Sequence, residues 1–211
     1  MKGSSMNFIT RYFNWLQKGN PTGLVDRFPE IDEKGETSVK GIYVIGDLTG
    51  IPLLKLAAEG GKKIIDTLHA DQQFQSLRKS MADDVYDLVI VGGGISGISA
   101  GIEALNHGYK FIILESAQKF STVVNFPKGK PIYSEPASVQ QMAALKINDG
   151  TKESLLDDLH EQISSLELPV SEGEMVEVIK KKGNVFEVVS KKGTYRAYRV
   201  ILAIGKSGNA R

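Results

Sequence analysis

The stretch Tyr86–Glu115, reading YDLVIVGGGISGISAGIEALNHGYKFIILE, constrains the fold more than any other part of the chain. A short apolar run enters Gly92, Gly94 and Gly97 at G-x-G-x-x-G spacing, and a helical pattern and a second apolar run follow. Gly92 permits a tight turn, Gly94 lets the backbone approach a pyrophosphate, and Gly97 lets the helix pack against the sheet. The helix start also supplies free N–H donors and a positive dipole end. The pattern therefore predicts a dinucleotide-binding βαβ unit.

The second apolar run of this unit ends in an acid. Glu115 lies 18 residues after Gly97. At that distance a carboxylate can accept hydrogen bonds from an adenosine ribose. The acid, the strand before the glycines and the helix after them make the motif far more specific than the glycines alone.

A second candidate motif lies upstream, where Gly41–Asp47 reads GIYVIGD, an apolar strand pattern that ends in Gly46 and Asp47. Pro52 suits the first turn of the helix that follows. One interpretation is an ordinary βα unit whose acid caps the helix. The other is the second FAD motif of flavoproteins that bind two dinucleotides, in which the Asp binds the ribityl chain and the helix start points at the flavin pyrimidine edge. Beside the glycine-rich unit, we favour the FAD interpretation.

In combination, these motifs resemble the FAD-binding domain of the thioredoxin-reductase-like pyridine-nucleotide-disulfide oxidoreductases. The bacillithiol-disulfide-reductase-like branch carries a similar GDLTGIPLLK stretch, and the loop Phe126–Tyr133 resembles a family loop near the flavin. The end of the chain has Ala203, Ile204 and Gly205 where the family often has A-T-G.

The resemblance implies an α/β fold: a Rossmann-like FAD-binding domain whose parallel sheet has helices on one face and a small antiparallel β-meander on the other. It implies FAD as the cofactor. The cofactor-binding residues that it predicts are Gly46, Asp47, Pro52, Leu53, Leu54, Gly92, Gly94, Ile95, Ser96, Gly97, Glu115, Ser116, Val176, Ala203 and Gly205.

The order of the pieces departs from the family, because here the GD half precedes the glycine-rich half. We expect a circularly permuted domain, which is plausible because domain termini often lie close together. Its predicted parts are an N-terminal helix or tag (1–20), the GD half (21–69), a polar linker (70–84) and the glycine-rich half (85–211). With a single G-x-G-x-x-G present, an NAD(P)H-binding domain or electron acceptor is expected beyond Arg211 or in trans. A loose linker also leaves a swapped homodimer open.

Composition excludes several classes of function. The net charge of +1 argues against general nucleic-acid binding. The uncharged run Leu88–Ile102 is too short for a membrane span, and no signal peptide is visible, so we expect a cytoplasmic protein. Without cysteine the chain supplies no redox-active thiol pair. His69, His107 and His160 lack ligand spacing, and no metal is expected.

The rest of the pattern predicts a helix over Thr151–Ile163 and strands at 175–179, 185–189, 194–197 and 200–204. The expected function is the FAD-binding domain of a flavin-dependent oxidoreductase that passes electrons from NAD(P)H to an unidentified acceptor. No catalytic acid or base stands out. The alternatives are a non-catalytic FAD- or ADP-binding module, a flavin-monooxygenase-like domain, and a plain NAD-binding domain that leaves Gly46-Asp47 unexplained.

Overall fold

The computed structural model describes residues 29–79 and 84–205, so the helix expected within 1–20 lies outside the described residues. The elements in chain order are β1 (Ile42–Val44), a 3-10 turn (Gly46–Thr49), α1 (Leu54–Ala70), α2 (Gln72–Lys79), β2 (Tyr86–Val91), α3 (Ile95–Asn106), β3 (Phe111–Leu114), α4 (Ser121–Val124), β4 (Pro131–Ile132), β5 (Gly150–Thr151), α5 (Lys152–Ser164), β6 (Val170–Ser171), β7 (Val176–Lys182), β8 (Val185–Ser190) and β9 (Thr194–Leu202).

Seven strands form one sheet, in which β6, β3, β2 and β9 lie side by side and run parallel. The far edge of β9 has two partners: β8 pairs antiparallel with its first half, and β1 pairs parallel with Val200–Leu202. The separate strands expected at 194–197 and 200–204 are therefore one continuous strand, because the change of partner occurs along its edge. Strands β4 and β5 pair separately.

The side chains of the sheet alternate between two buried faces. In β2, Leu88 and Ile90 belong to the cluster covered by the helices, whereas Val89 and Val91 pack with Phe186 beneath the β7–β8–β9 meander. Because both faces of the sheet are covered here, the side chains of Leu88–Val91 are apolar on both faces of the strand. The helices-and-meander arrangement predicted from the sequence is confirmed.

The front of the chain joins the rest through two helices that pack closely. A Cβ added at Gly61 of α1 would lie 2.7 Å from both Ala100 N and Ser96 O of α3. At the same crossing, the Ser99 hydroxyl donates to the Ala58 carbonyl at 2.7 Å. Because only a glycine fits at this position, α1 can pack directly against α3. Helix α3 is the helix that follows the glycine-rich loop.

Local capping agrees with the sequence at one helix and departs from it at another. Thr151 and Ser154 form a capping box that begins α5, close to the predicted start. Helix α1, however, begins at Leu54 rather than at Pro52. The chain first makes the 3-10 turn, which ends at Gly50 in a left-handed conformation (φ 95°), and then runs extended at Leu53 before α1.

Candidate functional site

The candidate site lies where the parallel strands end. Val44 of β1 and Val91 of β2 both pair with Leu202 of β9, and Leu114 of β3 pairs with Val91. The segments that follow these strands therefore meet at one edge of the sheet, where ligands of open α/β sheets bind. They carry Gly46-Asp47, the glycine-rich loop, Glu115 and Ala203–Gly205.

The glycine-rich loop is tightly packed on one side and open on the other. Gly92 has a left-handed backbone (φ 110°), and a Cβ there or at Gly97 would collide with the backbone of Ala203 or of Gly92, respectively. A Cβ at Gly94, in contrast, would meet no atom within 4 Å. Gly94 is also the N-cap of α3, with no side-chain cap. The first N–H groups of α3 are thus available to a ligand beside Gly94.

Glu115 lies beside this loop and is 7% exposed. Its Oε2 accepts from Gly93 N at 2.6 Å, and its Oε1 accepts from Ala117 N at 2.8 Å and from the Ser116 hydroxyl at 3.3 Å. The carboxylate thus anchors the loop, and Oε2 still has a lone pair for a further donor. Gly93, which the motif leaves unassigned, faces the acid directly, because its Cβ would lie 3.0 Å from the Cβ of Glu115.

The GD segment reaches the same edge. Gly46 has φ 75°, and a Cβ there would lie 2.5 Å from the Ser96 hydroxyl in the first turn of α3. Asp47 is half-buried, and no donor in residues 29–79 or 84–205 reaches its carboxylate; burial raises its pKa above the ordinary value. Pro52 and Leu53 are exposed and Leu54 is half-buried, just before and at the start of α1.

Glu174, which has no recognisable sequence motif, is 1% exposed and supports the backbone of Glu115. Its carboxylate accepts hydrogen bonds from the hydroxyls of Ser171, Ser190 (2.5 Å) and Tyr195 (2.8 Å). Its backbone N–H donates to the Glu115 carbonyl at 2.7 Å. Burial acts to raise the pKa of Glu174, but the three hydroxyls outweigh it and hold the pKa below its ordinary value.

Of the predicted residues, Val176 is the one that lies apart from the loops. It begins β7 and packs in the cluster beneath the meander, on the face of the sheet away from the helices. Val176 is close to the site only along the chain, because it follows Glu174 by two residues.

The long loop between β4 and β5 is held over α1 and α3 by three charged side chains that the sequence did not single out. The buried Lys55 donates to the carbonyls of Ser134 (3.3 Å) and Pro136 (2.8 Å). Glu59 accepts from the N–H groups of Met142 and Ala143, and the buried Glu103 accepts from that of Ala144. Since Lys55 is in the first turn of α1, the loop is fixed close to the GD segment.

Comparison with known proteins assigns the chain to a family. The family model for pyridine nucleotide-disulphide oxidoreductases matches residues 89–211, more than half of the chain. The chain therefore belongs to the pyridine nucleotide-disulphide oxidoreductase family. Because this is a flavin-binding family, the match confirms the class of protein and the FAD cofactor predicted from the sequence. The GD segment lies outside the matched residues.

Two solved structures have similar folds. Bacillithiol disulfide reductase from Staphylococcus aureus is 24% identical, with a TM-score of 0.50 over 58% of this chain and 39% of its own. Flavin-containing monooxygenase from Stenotrophomonas maltophilia is 26% identical, with a TM-score of 0.50 over 61% of this chain and 41% of its own. The chain thus spans well under half the length of either protein. No curated protein sequence matches it. In the described part of the chain, no helix combines the length and apolarity needed to cross a membrane.

Proposed function

We propose that FAD binds along the carboxyl edge of the sheet and contacts both motifs of this one chain. The observation that carries the proposal is the contact between Gly46 and the first turn of α3, which brings the GD segment against the helix start of the glycine-rich loop. In this arrangement, a dinucleotide whose pyrophosphate lies beside Gly94 can extend toward Asp47. The two halves would then form one domain in permuted order.

Each part of the edge fits a different part of FAD. The open space beside Gly94 and the uncapped start of α3 suit the pyrophosphate. Glu115 has a lone pair left for a ribose hydroxyl. The carboxylate of Asp47 has no donor among the described residues, and burial raises its pKa, so a ribityl hydroxyl would supply the missing partner.

When bound, FAD supplies hydride acceptance at its flavin ring, which no side chain can provide. The chain's own residues would bind and orient it: the glycine loop and Glu115 hold the adenosine half, and the GD segment and α1 hold the flavin half. Lys55 and Glu59 hold the loop between β4 and β5 against α1, beside the GD segment. We propose that electrons come from NAD(P)H held by another domain or chain and pass to a separate acceptor.

The absence of cysteine from the sequence bears on that acceptor. A disulfide substrate could be reduced only with thiols supplied by another protein or another part of it. The 26% identity to a flavin-containing monooxygenase favours oxygen transfer as the second candidate function.

Titration of apo-protein variants with FAD and with ADP tests the site. Glu115→Gln removes the negative charge and replaces one of the two acceptor oxygens by an NH2 donor. A hydrogen bond with a charged partner contributes about 1.5–3 kcal/mol, so both ligands should bind about 10- to 100-fold more weakly. Asp47→Asn should weaken FAD by a similar factor and leave ADP unchanged. Equal losses for both ligands in Asp47→Asn, or none for either, would remove the GD segment from the site.

A second measurement tests the reaction. The FAD-loaded chain should be bleached by dithionite but oxidise NAD(P)H slowly or not at all, since the sequence contains a single G-x-G-x-x-G motif and that motif is assigned to FAD. Saturable NAD(P)H oxidation by the 211-residue chain would instead show that it has its own nicotinamide site.

A further inference from the structure

A second cleft lies at the opposite end of β1 from the FAD edge. It is bounded by the loop before β1, the junction of α1 and α2, and the β7–β8 turn, and its volume is about 810 Å³. Pockets that bind small molecules have volumes of roughly 300–1,000 Å³. Its charged lining residues, which define what we call the basic cleft, are Lys34, Glu36, Lys40, Asp71, Lys181 and Arg199.

The basic cleft carries excess positive charge. Its four cations face two carboxylates, which leaves a formal charge of +2. Lys40 is paired with Glu36 at 2.7 Å. Lys34 and Lys181 form no ion pair within the described ranges, and the Lys181 ammonium donates only to the Lys40 carbonyl, at 2.6 Å. The Lys181 ammonium also lies 5.5 Å from the centre of the Phe186 ring. Within the described residues no carboxylate pairs with either lysine, so both can contact an anion.

Arg199 is the strongest indication that the basic cleft binds something. The residue is only 7% exposed, and its Nε has no hydrogen-bond partner in the described part of the chain. Its Nη1 donates to the Tyr198 carbonyl at 2.9 Å, and its guanidinium carbon lies 5.3 Å from the centre of the Phe74 ring. Among the described residues, its carboxylate partner is Asp71, whose Oδ2 lies 3.4 Å from Nη2. The other oxygen of Asp71 already accepts from Gln73 N and Phe74 N at the start of α2. The positive charge of this buried guanidinium is therefore balanced by one long contact to a shared carboxylate, and an anion bound in the cleft would balance it further.

The arrangement favours a phosphate ester over a single carboxylate. A guanidinium with two flexible ammonium groups can contact several oxygens at once, and a phosphate ester carries a charge of about −1.5 to −2 at pH 7, which balances the excess. Phe186 and Tyr43 also line the cleft but are only 1% and 5% exposed, so recognition of the ligand rests on its phosphate. We propose that the basic cleft binds a phosphorylated small molecule, separately from FAD.

Calorimetric titration with pyrophosphate at constant ionic strength tests this proposal. The first sample is the Gly94→Val variant, in which the glycine-rich loop cannot accept pyrophosphate. The second sample is the unsubstituted protein saturated with FAD. We expect saturable binding of one pyrophosphate in both samples. Lys34→Gln and Lys181→Gln should each weaken it about 5-fold, the upper range for an exposed charge pair. Lys180→Gln is the matched control, because Lys180 is exposed on the same strand and does not line the cleft.

Arg199→Lys keeps the charge but not the planar fork, and should weaken binding about 10-fold or more. If this variant does not fold, the two lysine variants still decide the question. Unsaturable binding, equal losses in Lys180→Gln and Lys181→Gln, or equally tight binding of citrate would overturn the proposal. The flavin absorbance of the FAD-saturated sample reports the other site independently, so failure of one proposal is distinguishable from failure of the other.

Discussion

Replacing Gly94 by valine should weaken FAD binding strongly while leaving the fold intact. The backbone at Gly94 (φ −76°, ψ −170°) is open to any residue, and an added Cβ meets no atom within 4 Å. The cost to stability is that of exchanging glycine for valine at an N-cap, about 1 kcal/mol or less. Valine would, however, occupy the space proposed for the pyrophosphate. Losing two charge-assisted hydrogen bonds at about 1.5–3 kcal/mol each would weaken FAD binding by roughly 10²- to 10⁴-fold.

Gly97→Ala is the matched comparison, because it should lower the stability of the fold, which Gly94→Val should leave nearly unchanged. A Cβ at Gly97 would overlap the Gly92 carbonyl and lie 3.3 Å from the Ala203 Cβ. Such overpacking costs about 1–3 kcal/mol, which lowers the melting temperature of a chain of this size by roughly 2–12 °C.

Calorimetry of the two apo-proteins and flavin fluorescence titrations separate these effects. The reasoning is refuted if Gly94→Val binds FAD as tightly as the unsubstituted chain, or if it loses as much stability as Gly97→Ala.

Three further predictions concern stability. Burial raises the pKa of Asp47, so ionisation of Asp47 opposes folding as the pH rises through that pKa. The apo-protein with Asp47→Asn should therefore have a melting temperature at pH 7 equal to or higher than that of the unsubstituted apo-protein. A lower melting temperature would contradict this. The depressed pKa of Glu174 means that its ionised form stabilises the fold at pH values above the ordinary pKa. Glu174→Gln should therefore lower the free energy of unfolding by about 1–3 kcal/mol at pH 7. Denaturant titrations should find that this difference shrinks as the pH falls through the depressed pKa, and a difference that stays constant would contradict the prediction. Gly61→Ala should destabilise by about 1–3 kcal/mol because it separates α1 from α3, whereas Gly60→Ala, whose nearest contact would be 3.9 Å, should be neutral or stabilising in the same titration.

Much of the glycine-rich half could be predicted from the sequence, because its chemistry is local. The strand, loop, helix and acid of Tyr86–Glu115 adopt the predicted order. Gly92 is required by its left-handed backbone, and Gly97 by the neighbouring carbonyl of Gly92. The β-meander was predictable for a similar reason. Its turns at Gly183-Asn184 and Lys192-Gly193 separate alternating runs that pair with their immediate neighbours.

Long-range contacts were beyond such reasoning, since they depend on which surfaces remain unpaired after local elements form. Nothing near Ile42 specifies that β1 pairs with β9, more than 150 residues later; β8 covers only the first half of that edge, and β1 takes the rest. Glu174 reads as an ordinary loop acid until the strands bring Ser190 and Tyr195 to it. Arg199 reads as a polar residue in a strand until packing buries its guanidinium beside the basic cleft. Spacing along a chain encodes backbone conformation and the faces of single elements, whereas the partners of a buried charge are fixed only when distant elements pack together.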